Sequence, residues 1–229
     1  MTRGYTPWPP GSLAGVNSSL YASGMADANS PLPGLKISLA QYVANGIAPD
    51  KIVLGLPWYG YDYTCDDVTL WQRNGTDVQP GSPCKPLGGT RGAGARQAPY
   101  WEQMDILHSN MTRVTTGLIY NHTTVSMHYV RRPPCSPLPV PCSDLPLRAG
   151  CVQDYFPRDP KTLEWSTVRH QMWMDTPGTL ATKYAWARSA GYKGVAFWNS
   201  GGARYGKGSR GEGDEMWDAV SAFGPLDRK

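Results

Sequence analysis

At 229 residues and a net charge of +4, the chain is long enough for one domain with a real core. It shows no basic helix or stripe of the kind that binds nucleic acid. No apolar run is long enough for a membrane-spanning helix. Only 17% of residues are charged, Gly 26 and Pro 21 together make about a fifth of the chain, and Trp 9 and Tyr 13 far outnumber Phe 3. Rings with a polar handle suit wet grooves as well as cores.

Residues 1–34 have no sustained period and read as loop or disorder, with 1–23 set apart as an atypical N-terminus. Leu35 to Asn45 carries enough apolar residues for a helix packed on a sheet, and Gly46 is its expected stop. Pro49-Asp50 then turns the chain into Ile52–Leu56, a β-branched run expected to be a strand buried on both faces of a parallel sheet. The run breaks at Pro57 into Trp58, Tyr59, Tyr61, Asp62 and Tyr63, just past the strand's C-terminal end. Open α/β sheets and α/β barrels place their ligand sites there, and crowded rings suit a flat ligand with an apolar face, such as a sugar.

Residues 64–99 read as a long loop, and Tyr100–Asn110 has helical spacing. Leu118–Tyr120 and Val125–Val130 are candidates for a short hairpin. The segment 111–152 is expected to be a flexible insertion, because Arg131 to Cys151 is packed with proline and cysteine and cannot bury a core. Val168–Met174 alternates as a strand would. A helix is expected over Thr179–Ala190 with Gly191 as stop, then a second buried strand, Val195–Trp198, again ending in an aromatic and a polar residue, Trp198-Asn199. A last helix falls around Asp214–Phe223.

The five cysteines are Cys65, Cys84, Cys135, Cys142 and Cys151. None forms a C-x-x-C pair or has a histidine at ligand spacing, so no metal and no cofactor is expected. Cys65 and Cys84 bracket a turn-rich loop and suit a disulfide clip. Sequons at Asn17, Asn74, Asn110 and Asn121 point to glycosylation in the secretory pathway. Met1-Thr2-Arg3-Gly4 leads into Tyr-Pro-Trp-Pro-Pro rather than an apolar leader, so the chain is expected to lack its natural N-terminus.

The pieces KIVLGLPWYGYDYTC, RQAPY, HQMWMDTPGTLATKY and GYKGVAFWN, in that order, resemble the C-terminal part of a family-eighteen glycoside hydrolase, from about Gly24 to Trp217. The resemblance implies an α/β fold: a partial (β/α)₈ TIM barrel over 24–229, whose seventh and eighth strands are the two runs above. It implies hydrolysis of N-acetylglucosamine-containing oligosaccharides of the chitin or N-glycan-core type, in a lysosomal or secreted setting. In that chemistry the substrate's acetamido oxygen attacks the anomeric carbon while a glutamic acid protonates the leaving oxygen. The acid ends a D-x-x-D-x-D-x-E motif whose neighbouring carboxylates raise its pKa.

No such motif exists here. The four glutamates are Glu102, Glu164, Glu212 and Glu215, and none has aspartates two, four and seven positions before it. The family's Met-x-Tyr-Asp is also missing, with Tyr21-Ala22-Ser23-Gly24 in its place. No residue is therefore assigned as catalytic; Asp62, Asp66 and Asp67 are candidate acids by proximity only, and turn or loop roles suit them better. By resemblance Trp198 is the ring beneath the sugar at the cleavage point. Tyr59, Tyr61 and Asn199 are its candidate companions, and Asp175 is a weaker one. The chain is thus expected to be the C-terminal portion of a glycosidase, inactive alone. The alternatives are a non-catalytic lectin-like binder of chitooligosaccharides and a non-functional truncated product.

Overall fold

The computed structural model describes residues 18–21, 34–65, 86–87, 94–109, 112–114, 119–120, 151–157, 159–164, 168 and 170–224. Helix α1 (Leu35–Ala44) runs through a 3₁₀ turn at Pro49–Lys51 into strand β1 (Val53–Pro57). The expected stop is in place, with Gly46 at φ +89. Far along the chain, helix α3 (Pro177–Ser189) ends at Gly191 (φ +73) and leads into strand β8 (Gly194–Trp198). Strands β1 and β8 lie side by side and parallel, from Val53 opposite Gly194 to Pro57 opposite Trp198. Helix α4 (Glu212–Ser221) follows.

One apolar cluster unites these elements. Leu35 and Leu39 of α1, Leu54 and Leu56 of β1, Leu180, Tyr184 and Ala187 of α3, and Met216, Ala219 and Val220 of α4 are all buried in it, with Val195 and Phe197 of β8 packed against it. Only one face of the two-stranded sheet is covered in this way. The expectation that Ile52–Leu56 is buried on both faces is therefore corrected: Leu54 and Leu56 point into the helices, while Val53 on the other face is 53% exposed. Strand alternation explains the split, because all three helices lie on the same side.

Between β1 and α3 the chain makes a long excursion. Strand β2 (Tyr59–Thr64) starts almost as soon as β1 ends, and β3 (Ala95–Pro99) pairs with it antiparallel. The reading of 64–99 as loop is corrected over its last residues. Helix α2 (Tyr100–His108) continues from β3, and the short strands β4 (Thr112–Val114) and β5 (Ile119–Tyr120) pair with β6 (Cys151–Pro157). Strand β7 (His170–Met174) then runs between β6 and β2, giving a sheet of order β3-β2-β7-β6-β4. Three strands thus fall in or adjoin the expected insertion at 111–152. Residues 121–150, with the second half of the expected hairpin, lie outside the described residues. The excursion closes with a reciprocal capping box, in which Thr176 and Thr179 exchange hydrogen bonds at the start of α3, with Pro177 in the first turn.

Trp58 is the joint between the two sheets. It is fully buried, stacked on Phe197 at 4.0 Å and edge-on to Trp217 at 5.3 Å, and its indole N–H donates to the Tyr184 hydroxyl at 3.3 Å. Burial pushes the Tyr184 hydroxyl well above the ordinary range, so it stays protonated. A Cβ on Gly202 would lie 1.9 Å from the Trp58 carbonyl oxygen. Gly202→Ala is expected to cost about 1–3 kcal/mol through this overpacking. A urea midpoint equal to that of the unaltered chain would show that the contact is not held in solution.

Candidate functional site

Trp198 ends β8 opposite Pro57 and is 67% exposed, on the face of the parallel sheet that the helices leave open. Its carbonyl accepts a hydrogen bond from the Trp58 N–H at 2.8 Å, so the backbone beneath the exposed ring is fixed by the joint. The Trp198–Asn199 peptide bond is cis, and exposed Asn199 opens the 3₁₀ turn Ser200–Gly202. A large ring held out of the core on a rigid strand end presents a flat apolar surface, the element a sugar ring needs beneath it.

The tyrosines sit on β2 rather than in a loop. Alternation puts Tyr59, Tyr61 and Tyr63 on one face, with Tyr59 and Tyr61 edge-on at 6.1 Å and Tyr61 and Tyr63 tilted at 5.8 Å. Tyr63 is buried, while Tyr59 and Tyr61 are half-exposed. Tyr59 comes two residues after Pro57, the register partner of Trp198, so the wall of rings on β2 begins just beyond that strand end.

The same alternation turns Asp62 away from that wall, towards the face covered by α2, where Gln103 lies 2.6 Å from the place a Gly60 Cβ would occupy. There Asp62 is buried, accepts from Arg96 Nη2 at 3.2 Å and lies 3.2 Å from His170 Nδ1, while Arg96 Nη1 donates to Glu102 at 2.5 Å. A carboxylate held in this network on the opposite face serves the sheet. Asp175 is equally committed. Its carboxylate accepts from Lys183 Nζ at 2.5 and 2.7 Å, from Ser18 Oγ at 2.5 Å and from Thr179 Oγ1 at 2.9 Å, in a fully buried cluster. Asp66, Asp67, Cys84 and the sequon residues Asn17, Asn74, Asn110 and Asn121 lie outside the described residues. Cys65 is disulfide-bonded. Among the described residues no group of three or more His, Cys, Asp or Glu could hold a metal ion.

A second cluster escaped sequence reasoning. Asp105 on α2 accepts from both guanidinium nitrogens of Arg204, one of them at 3.2 Å, and from Arg210 Nη1 at 3.1 Å. The Arg204 guanidinium also covers the Trp101 ring at 4.6 Å and donates to the Gly208 carbonyl at 3.3 Å. Its hydrogen bond to Asp105, reinforced by the Arg204 and Arg210 charges, holds that carboxyl below its ordinary range. A depressed carboxyl contributes its stability above the unfolded value near 4 and loses it only as the pH falls through the folded value, so the cluster persists at mildly acidic pH.

The sequence profile of the family described as glycosyl hydrolases family 18 matches residues 1–203. The chain belongs to that family. Rat di-N-acetylchitobiase is 25% identical over 207 residues, 89% of this chain but 45% of the relative. The chain therefore spans about half the length of the curated relatives it matches. Among solved structures, the Group IV chitinase of Ostrinia furnacalis superposes with a TM-score of 0.59 at 15% identity, over 96% of this chain and 48% of that one. YKL-39 in the presence of chitooligosaccharides gives 0.56 at 14% identity, over 98% and 49%. At these identities the likeness concerns the fold, a TIM barrel in these family 18 neighbours, of which the described residues here supply an unclosed part.

Proposed function

We propose that this chain forms the floor and one wall of a site for N-acetylglucosamine oligosaccharides, the C-terminal portion of a chitobiase-like glycosidase. The sugar lies on the Trp198 ring, with Tyr59 and Tyr61 beside it and Asn199 within reach of its hydroxyls. The parent family places such a chain in a lysosomal or secreted setting. The observation that carries the reading is Trp198: a 67%-exposed indole at the C-terminal end of a strand whose other face is a packed core. An indole held out of the core on a fixed strand end offers a flat apolar face with a polar N–H at its edge, which suits a sugar ring.

Cleavage is not part of this reading. Protonating a glycosidic oxygen requires a carboxylic acid with a raised pKa next to the sugar floor. Among the described residues, Glu212 is tied to Ser209 and the Arg210 N–H with its pKa lowered, Glu102 is paired with Arg96, and Asp62 faces the other side of β2. Burial does push the Glu215 carboxyl up, but Glu215 stands on α4, on the helix-covered side of the sheet and away from the Trp198 ring. The purified chain is expected to release no fluorophore from a fluorogenic chitobioside above the buffer rate. Turnover that survives further purification would overturn the assignment of this chain as a binding surface without its acid. The lectin-like alternative shares the same floor, but a lectin of this type keeps all eight barrel strands, and the described residues supply one parallel pair.

A further inference from the structure

The floor and the wall belong to different sheets. Trp198 stands on the parallel pair β1-β8, and Tyr59 and Tyr61 stand on the antiparallel sheet, on which α2 packs. The two are joined covalently through Pro57–Trp58 and through the Met174–Pro177 turn. At the first joint, Trp58 N–H donates to the Trp198 carbonyl at 2.8 Å and Tyr100 N–H donates to the Trp58 carbonyl at 3.2 Å. These bonds, and the buried Trp58, Tyr100 and Met174 that pack into the shared core beside them, all lie close to the joints between the sheets. Asp105 lies five residues along α2 from Tyr100, about 7.5 Å at the rise of a helix, and it grips Arg204 and Arg210 of the loop that follows Trp198. A tie at that distance from the joint opposes the rotation that would swing the wall from the floor.

We propose that the Asp105–Arg204–Arg210 clasp, with Arg204 seated on Trp101, is a positioning device that fixes the angle between the tyrosine wall and the Trp198 floor. It would thereby set how long an N-acetylglucosamine oligosaccharide the site holds; this rests on the sugar site proposed above. Isolated exposed ion pairs do little, but this one is a network. One carboxylate takes two guanidinium groups, one through a two-pronged contact, and the same guanidinium is held by a ring and by the Gly208 carbonyl. Arginine suits both contacts, since its planar fork matches a carboxylate and stacks on an indole.

Asp105→Asn keeps the shape and removes the charge, and Arg204→Lys keeps the charge and removes the fork. Both variants and the unaltered chain are titrated with chitobiose and chitotetraose, and hydrogen exchange is followed in 100–108 and 203–211. In both variants exchange is expected to rise in these two segments together. Affinity for the tetramer is expected to fall about tenfold, with that for the dimer unchanged within twofold, because a dimer needs the floor alone. Unchanged exchange overturns the clasp whatever the sugar does. Equal losses for dimer and tetramer, or none, overturn its positioning role while leaving the sugar site standing. No binding of either sugar by the unaltered chain overturns the sugar site itself and the positioning role with it, a result distinct from the others.

Discussion

Asp175→Ala is expected to lower the unfolding free energy by about 3–5 kcal/mol, the cost of leaving a buried charge without its partner. Lys183 is completely buried on α3, and its ammonium has the two Asp175 oxygens at 2.5 and 2.7 Å and the Ser18 hydroxyl at 3.0 Å. With the carboxylate gone, the buried ammonium loses the counter-charge that offset its desolvation. Thr179 and Ser18 lose their acceptor in the same step, which loosens the start of α3 and frees the segment at Ser18. Domains are stable by only about 5–15 kcal/mol in total, so the loss is a large part of what holds the chain. Urea unfolding followed by circular dichroism measures it as a shift in midpoint. The double variant Asp175→Leu with Lys183→Met is expected to be less damaging than Asp175→Ala, since it buries no unpaired charge. A loss under about 1 kcal/mol for Asp175→Ala would mean that water reaches Lys183 and that the cluster is not the closed one described.

The second large effect belongs to Trp198. Trp198→Ala is expected to weaken chitooligosaccharide binding by about 30-fold or more, corresponding to the ~2 kcal/mol lost when a central tryptophan anchor is truncated. The same substitution is expected to move the unfolding free energy by no more than about 0.5 kcal/mol, because most of the ring is outside the core. Trp58 makes the contrast. It lies on the neighbouring strand end but is wholly buried between Phe197 and Trp217, and its loss would act on folding first. Two tryptophans, one just beyond β1 and one at the end of β8, thus lie on opposite faces, and alternation along the strands decides which is which.

Much of the parallel layer was legible in the sequence. The runs Leu35–Ala44 and Pro177–Ser189 carry their periods and their glycine stops, and β1 and β8 are short apolar runs that fold where expected. Their open face was not legible, because a strand covered on one side differs from one covered on two only through residues such as Gly55 and Ala196, which suit either. In the antiparallel sheet, β7 and β5 were legible in the runs Val168–Met174 and Leu118–Tyr120, but the pairing of β2 with β3 was missed for a different reason. Tyr-Gly-Tyr-Asp-Tyr-Thr does alternate, but its partner Ala95–Pro99 comes after a long glycine- and proline-rich stretch, and nothing local announces the pairing. Asp62, named for its closeness to the rings, is on the wrong face by a single residue's alternation. The clasp was invisible because Asp105 and Arg204 are 99 positions apart. Lys183 likewise reads as an ordinary surface lysine until Ser18 and Asp175 close over it.

A calorimetric titration of chitotetraose into the chain and into Trp198→Ala, with the sugar recovered afterwards and sized by chromatography, tests the central claim most directly. Saturable binding is expected for the unaltered chain, binding about 30-fold weaker or undetectable for the variant, and tetrasaccharide recovered intact from both. Equal binding by the two chains, no binding by either, or release of shorter sugars would contradict that claim.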